Sequence, residues 1–271
     1  AIPSRATFTT PNPAAMQWGA PGRVGLGTLD GTQNNKVTGG SVDFSGSYGG
    51  VRLVEDWGSF AVETTRLQSD SSSYDFSEES TELGVAGALG QNLTLGLQVS
   101  EEERDYTSSK QATQSRTVGL GMSFGELIYL GAAVEQQDLT QTSAGLSTDY
   151  TRENALWGLG IRSGGGSLLW HAEVFRIERL NYDGTSGDFG GRDLTGAVLE
   201  FNWNDVLLGY GLSEVDYLDS DTSLSASTVD LGWAPQVGLT INGRLERSTR
   251  EDASGTLRES EMTSVGLAVL F

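Results

Sequence analysis

The chain has 271 residues, with 36 acidic against 17 basic side chains, a formal charge of −19, no cysteine, one histidine, 37 glycines and five prolines. That charge excludes a nucleic-acid partner, because gripping a phosphate backbone takes lysine and arginine. Only Lys36 and Lys110 are lysines, so polybasic attraction to lipid heads is excluded too. Without cysteine there is no disulfide framework or thiol chemistry, and His171 alone cannot build a multi-histidine metal site, so neither a metal nor a cofactor is expected. A serine–histidine–acid triad would have to use His171 with no G-x-S-x-G turn beside it. An enzyme is therefore not expected.

No stretch reaches the ~18 consecutive apolar residues of a transmembrane helix. The mildly negative mean hydropathy does not make the chain soluble, because a transmembrane barrel alternates lipid-facing and lumen-facing residues and averages to a polar value. The chain opens at Ala1 with no basic and apolar leader, which implies that an exported form has already lost its signal peptide.

In chain order, residues 1–21 come first, with Pro3, Pro11, Pro13 and Pro21 among Ile2, Phe8, Ala14, Ala15, Met16 and Trp18. This segment is too irregular for a strand and too apolar to sit comfortably in water. It is expected to tuck into a lumen as a plug carried by Asn12, Pro13, Ala14, Met16 and Trp18, with a flexible leader as the alternative. From residue 22 to 234 there is no proline, and period-2 alternation takes over. Strands are expected near 22–31, 47–56, 59–69, 79–89, 93–105, 112–124, 127–140, 149–162, 167–181, 192–203, 206–217, 224–233, 237–249 and 258–271. Leu93, Leu95, Leu97 and Val99 against Thr94, Gly96 and Gln98 show the pattern clearly. So do Val118, Leu120, Met122 and Phe124, and the closing Val265, Leu267, Val269 and Phe271.

Connections alternate in kind. One set is short: Trp57-Gly58, Gly90-Gln91-Asn92, Gly125-Glu126, Gly164-Gly165-Gly166, Asn204-Asp205 and Pro235-Gln236. The other set is longer and polar, near 32–46, 70–78, 106–111, 141–148, 182–191, 218–223 and 250–257. Trp57, Phe60, Phe124, Trp203, Trp233 and Phe271 mark the short-turn ends, and Tyr74, Tyr106, Tyr150, Tyr182 and Tyr217 the long-loop ends, as expected of two interfacial belts. Together these features predict an all-β fold, a transmembrane antiparallel up-and-down β-barrel of 14 strands in the bacterial outer membrane, with twelve as the alternative count. Residues 1–21 form its plug and 22–271 its wall. An inward-facing apolar side is excluded because fourteen strands enclose more space than side chains fill.

With the leucine–valine face given to lipid, the opposite face lines the lumen. Its charged members include Arg52, Glu63, Arg104, Glu135, Arg152, Arg162, His171, Glu173, Glu200, Asp230 and Arg244, with Glu102 and Glu246 beside them. A two-residue turn at Trp57-Gly58 would set Arg52 opposite Glu63. These residues read either as a structural lattice of cross-strand pairs or as a selectivity ring or solute site. His171 and Glu173 share a face, where a titrating gate competes with a satisfied histidine. Phe175 and Ile177 continue that face, through either a register-flipping bulge or an apolar patch in the outer half of the lumen.

Thr10-Pro11-Asn12-Pro13-Ala14-Ala15-Met16, followed by Gly22-Arg23-Val24-Gly25-Leu26-Gly27, resembles the N-terminal Asn-Pro-Ala segment of the FadL-like long-chain fatty-acid transporters. The resemblance implies a fourteen-stranded barrel with an N-terminal hatch in its lumen, to which Asn12, Pro13 and Ala14 would belong, and a sideways exit for hydrophobic substrates through the wall. The terminal Phe271 also looks like the ending read by the barrel assembly machinery. The chain departs from that family in its length, its modest outer connections and the charge of its inward face. Three functions follow. The first is a plugged outer-membrane channel for passive uptake of small, hydrophobic molecules. The second is a structural or interaction barrel filled by charge ladders, and the third and weakest is a membrane enzyme. Expected partners are outer-membrane lipid and lipopolysaccharide, through acidic outer ends such as Glu101-Glu102-Glu103, together with a small-molecule solute and the assembly machinery.

Overall fold

A computed structural model describes residues 12–17, 22–69, 75–125, 127–165, 168–183, 192–217, 222–236 and 238–270. After a single 3-10 turn, Pro13–Gln17, the chain forms strands β1 (Arg23–Asn35), β2 (Ser41–Glu55), β3 (Gly58–Ser69), β4 (Phe76–Ala88), β5 (Leu93–Tyr106), β6 (Ser109–Phe124) and β7 (Ile128–Ser143). It continues through β8 (Leu146–Gly165), β9 (Leu168–Asp183), β10 (Arg192–Trp203), β11 (Val206–Tyr217), β12 (Thr222–Gln236), β13 (Leu239–Asp252) and β14 (Gly255–Leu270). Each strand pairs antiparallel with its neighbours in sequence, and β1 closes on β14, from Arg23 opposite Leu270 to Asn35 opposite Arg258. This is a closed, up-and-down, fourteen-stranded transmembrane barrel, and closure removes the unpaired edges that hydrocarbon does not tolerate.

Alternation fixes which side chains meet lipid. In β5 the exterior carries Leu93, Leu95, Leu97 and Val99; in β6, Phe124, Met122, Leu120 and Val118; in β11, Val206, Leu208, Tyr210 and Leu212. Farther along the same strands the exterior turns polar: Glu101, Glu103 and Asp105; Arg116 and Gln114; Glu214 and Asp216. Four alternating residues span about 23 Å of strand at ~3.3 Å each, or roughly 18 Å of height at a tilt near 40°. The outer half of the wall therefore stands clear of the hydrocarbon. Its exterior is laced by ion pairs such as Arg66–Glu79 at 2.8 Å and Arg247–Glu261 at 2.7 Å.

Three expectations are corrected. First, the connection after β2 is Asp56-Trp57, so Glu55 faces Gly58, Arg52 faces Ala61 and Glu63 faces Gly50. Moving the turn by one residue moves each partner by two, and Arg52 is not opposite Glu63. Second, several outer connections are tight: only Thr107-Ser108, Ala144-Gly145 and Ala253-Ser254 separate the paired strands there. Ala144 and Gly145 have φ of 51° and 80°, the mirror-image turn that suits a twisted hairpin, yet the pair lacks the Asn-Gly signature that would announce it.

Third, the described outer tyrosines, Tyr106, Tyr150 and Tyr217, form no lipid-facing belt. Tyr106 and Tyr150 lie on the inward face, Tyr106 packing on Phe76 with centroids 5.3 Å apart. Tyr217 lies under the Arg250 guanidinium, 4.8 Å from the ring centroid. The exterior at that level is charged, so a ring finds apolar company only inside. The inner girdle of Trp57, Phe124, Trp203 and Trp233 is exposed on the exterior, while Tyr74, Phe271 and the side chain of Tyr182 lie outside the described residues.

Among the described residues the ladders shift register at only three places: Glu153/Asn154, Trp233/Gln236 and Arg250/Glu251. β2 to β6 pair without a break. The sideways opening implied by the resemblance has no counterpart in these ladders.

Candidate functional site in the lumen

At the inner end, residues 12–16 are buried against the inward faces of β4, β5 and β6. The local sequence explains the turn. Pro13 has no N–H to satisfy and a preset φ. Asn12 caps it, its Oδ1 accepting from Ala14 N at 3.1 Å and its carbonyl from Ala15 N at 2.9 Å. The wall reaches back three times: Leu120 O accepts from Asn12 Nδ2 at 3.2 Å, Thr94 Oγ1 donates to Ala14 O at 3.1 Å, and Arg52 Nη2 donates to Met16 O at 3.1 Å. Glycines form the seat. A Cβ at Gly96 would fall on the backbone at Pro13–Ala14, one at Gly119 on the Asn12 carboxamide, and one at Gly84 2.6 Å from Met16 Cε. Asn12, Pro13, Ala14 and Met16 thus meet inside the barrel; Trp18 lies outside the described residues.

Higher up, the wall carries paired charges. Arg244 grips Asp230 through Nε at 2.6 Å and Nη2 at 3.1 Å, a bidentate pair on facing positions of β12 and β13. Asn154 donates to Glu135 at 2.9 Å, and Arg152 donates to Gln137. Arg162 faces His171 across β8 and β9, and His171 faces Glu200 across β9 and β10. His171 Nε2 lies 3.6 Å from Glu173 Oε2 and Nδ1 3.6 Å from Glu200 Oε2. Both separations exceed hydrogen-bond range. The two carboxylates flank opposite edges of the ring, so they do not converge on one ligand point, and no metal cluster of three such side chains occurs among the described residues.

The outer half of the lumen is less polar than its charges suggest. Phe175 faces Gly158 and Gly196 with no register shift, and a Cβ on Gly196 would strike its ring. The apolar patch is therefore real, and Leu139, Leu156 and Val215 are buried on the same face. Across the lumen, a cavity of about 150 Å³ is lined by Leu29, Tyr48, Glu63, Asn242, Arg244 and Met262. Nearer the mouth a second, of about 230 Å³, lies among Phe44, Leu67, Phe76, Tyr106, Arg104 and Met262. Phe44 meets Phe76 edge-on at 5.7 Å. Arg104 bonds Glu78 and Glu102, both at 2.8 Å.

Sequence reasoning placed the charged lining but missed Leu29, Tyr48, Phe44, Phe76 and Met262. A signal existed: Leu29 falls out of phase with the exterior Val24 and Leu26, and Tyr48 out of phase with Val51 and Leu53. Apolar residues on the lumen phase are the mark of a lining that is not purely polar.

No protein-family profile matches the chain, and no curated protein matches it in sequence. Its fold has clear counterparts among solved structures. The CymD monoaromatic hydrocarbon channel superimposes with a TM-score of 0.65 at 11% identity, covering 96% of this chain and 91% of that one. The Ralstonia pickettii toluene transporter TbuX gives 0.65 at 12% identity, covering 96% and 92%. A Pseudomonas aeruginosa FadL homologue gives 0.59 at 9% identity, covering 96% and 93%. The fold is that of the FadL-like outer-membrane barrels.

Proposed function

We propose that the protein is a channel of the bacterial outer membrane that admits small hydrophobic molecules by passive diffusion, with residues 12–17 as the plug of its inner end. The apolar lining of the outer lumen carries this reading: Phe44, Leu67, Phe76 and Met262 on one wall, Leu139, Leu156, Phe175 and Val215 on the other. A barrel serving only as a scaffold has no need of a cavity lined by Phe44, Leu67, Phe76 and Met262, whereas an apolar solute does. The neighbours in fold are described as hydrocarbon channels and toluene transporters, which supports the same substrate class. The exterior suits lipid below and the polar lipopolysaccharide layer above. Solute would enter at the raised mouth, settle among the aromatic rings and leave once the 3-10 turn is displaced.

The test is uptake of radiolabelled toluene by intact cells expressing the protein, against cells carrying Phe76→Arg. The reading requires faster uptake with the wild type and a return toward background with the variant, at equal amounts of folded barrel. Equal uptake by wild-type and barrel-free cells would favour the filled, non-conducting alternative.

A further inference from the structure

The lipid-facing band is not equally tall around the barrel. Counted from the inner end of each strand, the seventh residue is Val99 on β5, Val118 on β6, Val134 on β7 and Leu212 on β11. All four are exposed on the exterior. The seventh residue of β2 is Gly49 and that of β3 is Thr64, and the two face each other across their ladder. Their neighbours in the same row are Leu26 of β1 and Thr81 of β4, and the next exterior residues are Thr28, opposite Ser47. The apolar exterior of β2 is thus Leu53 and Val51, and that of β3 is Phe60 and Val62, two residues each where β5 and β6 carry four. Packing does not force the glycine. The nearest atom to a Cβ added at Gly49 would be the Gly25 carbonyl oxygen at 3.5 Å, an ordinary contact.

Directly above, a hollow of about 690 Å³ opens on the exterior of β1 to β5. Its lining includes the short hydroxyl-bearing side chains of Thr28, Ser45, Ser47 and Ser77, with charges of both signs in Asp30 and Arg66. A hollow in the outer face of a membrane barrel is filled by the surrounding bilayer, either by acyl chains or by headgroups and their water. Acyl chains cannot satisfy hydroxyls, a carboxylate and a guanidinium.

We infer that β1 to β3 form a docking surface for the phosphate-bearing headgroup layer of the surrounding leaflet, which descends along this side to Gly49 and Thr64 and fills the hollow. One alternate position is about 7 Å of strand, so the hydrocarbon ends about 5 Å lower here than beside β5, β6 and β11 at the tilt of such a wall. Arg66 gives one Nη to Glu79 and has further N–H groups for phosphate, while the serine and threonine hydroxyls serve headgroup oxygens and water. The inference concerns the exterior alone and is independent of what crosses the lumen.

The chain has no cysteine, so a single nitroxide label can be placed at each chosen position. The full chain carrying Thr64→Cys, Val118→Cys, Leu212→Cys or Arg116→Cys is labelled and inserted into phosphatidylcholine vesicles. Collisions with dissolved oxygen report acyl chains, and collisions with a water-soluble nickel chelate report headgroups and water. Labels at Val118 and Leu212 should meet mainly oxygen. The label at Thr64 should match Arg116, which lies one alternate position higher on β6. A value at Thr64 no closer to Arg116 than to Val118 overturns the inference, and so does nickel access at Val118 and Leu212 equal to that at Thr64. Arginine gives a second reading without a label. Val118→Arg should lower the folded-to-unfolded ratio in vesicles about thirtyfold or more, and Thr64→Arg by less than about threefold. Equal losses at the two positions, or failure of Thr64→Arg to fold, count against the docking surface.

Discussion

The carboxamide of Asn12 occupies the space where Gly119 carries no side chain, its Oδ1 lying where a Cβ would be. The adjoining Nδ2 bonds the carbonyl of Leu120, the next residue of the same strand. One glycine and one asparagine thus form a lock between the 3-10 turn and β6. Gly119→Val should unseat the turn and leave the barrel closed, since every strand pair forms without it. Overpacking of this kind typically costs about 1–3 kcal/mol, which the molecule avoids by releasing residues 12–17. Limited proteolysis should cut that segment in the variant and spare it in the wild type, with heat-modifiable gel mobility unchanged in both.

The change from apolar to polar exterior marks where hydrocarbon ends. Val118 and Gln114 lie on the exterior of β6, four residues apart, on either side of that change. Val118→Arg should destabilise the barrel by about 2–4 kcal/mol in vesicles, as an arginine deep in the bilayer does. Gln114→Arg should change stability by less than about 0.5 kcal/mol. Urea unfolding in vesicles measures both, and equal effects would mean that the membrane reaches higher than the apolar band.

Much of this architecture is written in the lower half of each strand. Leu93 to Val99, or Val206 to Leu212, can be read as strand because lipid demands an apolar residue at each alternate position. Above Val99 the exterior runs Glu101, Glu103, Asp105, water meets both faces, and alternation disappears. The sequence reading therefore ended strands early at 31, 140 and 249, where the chain continues to Asn35, Ser143 and Asp252. The phase of β2 places Arg52 in the lumen but hides its partner, because that depends on a turn one residue away from the one the pattern suggests and on a carbonyl from residue 16. The pattern points Tyr106 and Tyr150 toward lipid because sequence gives their height and not the polarity of the wall around them.

Asp230 and Arg244 form the best-made ion pair of the lumen. Asp230→Asn should cost about 2–3 kcal/mol, less than a fully buried pair because water reaches part of the Arg244 side chain. The Asp230→Leu/Arg244→Met double substitution should recover most of that loss, since no buried charge is left unpaired. Thermal unfolding of the detergent-solubilised barrel reads both; a double variant weaker than the single one would refute the assignment.

At the outermost hairpin of β13 and β14, Asp252 accepts from the Ser254 hydroxyl at 2.5 Å and from Ser254 N at 2.7 Å. These bonds hold its carboxyl below the ordinary carboxylate range. A depressed pKa means that the folded hairpin favours the charged form. Its contribution is complete above the ordinary carboxylate pKa and is lost as pH falls through the lowered one. The protection factor of the Ser254 amide should therefore fall on acidification below about pH 4, and Asp252→Asn should abolish that fall. A flat profile in the wild type would remove Asp252 from that role.

If residues 12–17 close a conducting lumen from within, as proposed, removing them should open it. Single-channel recording in planar bilayers, with the full-length protein beside a variant lacking residues 1–20, tests it most directly. The full-length barrel should pass little or no current and the truncated one should give steady, larger steps. Silence from both, with gel mobility showing that both are folded, would contradict it and leave a lumen filled by its own side chains.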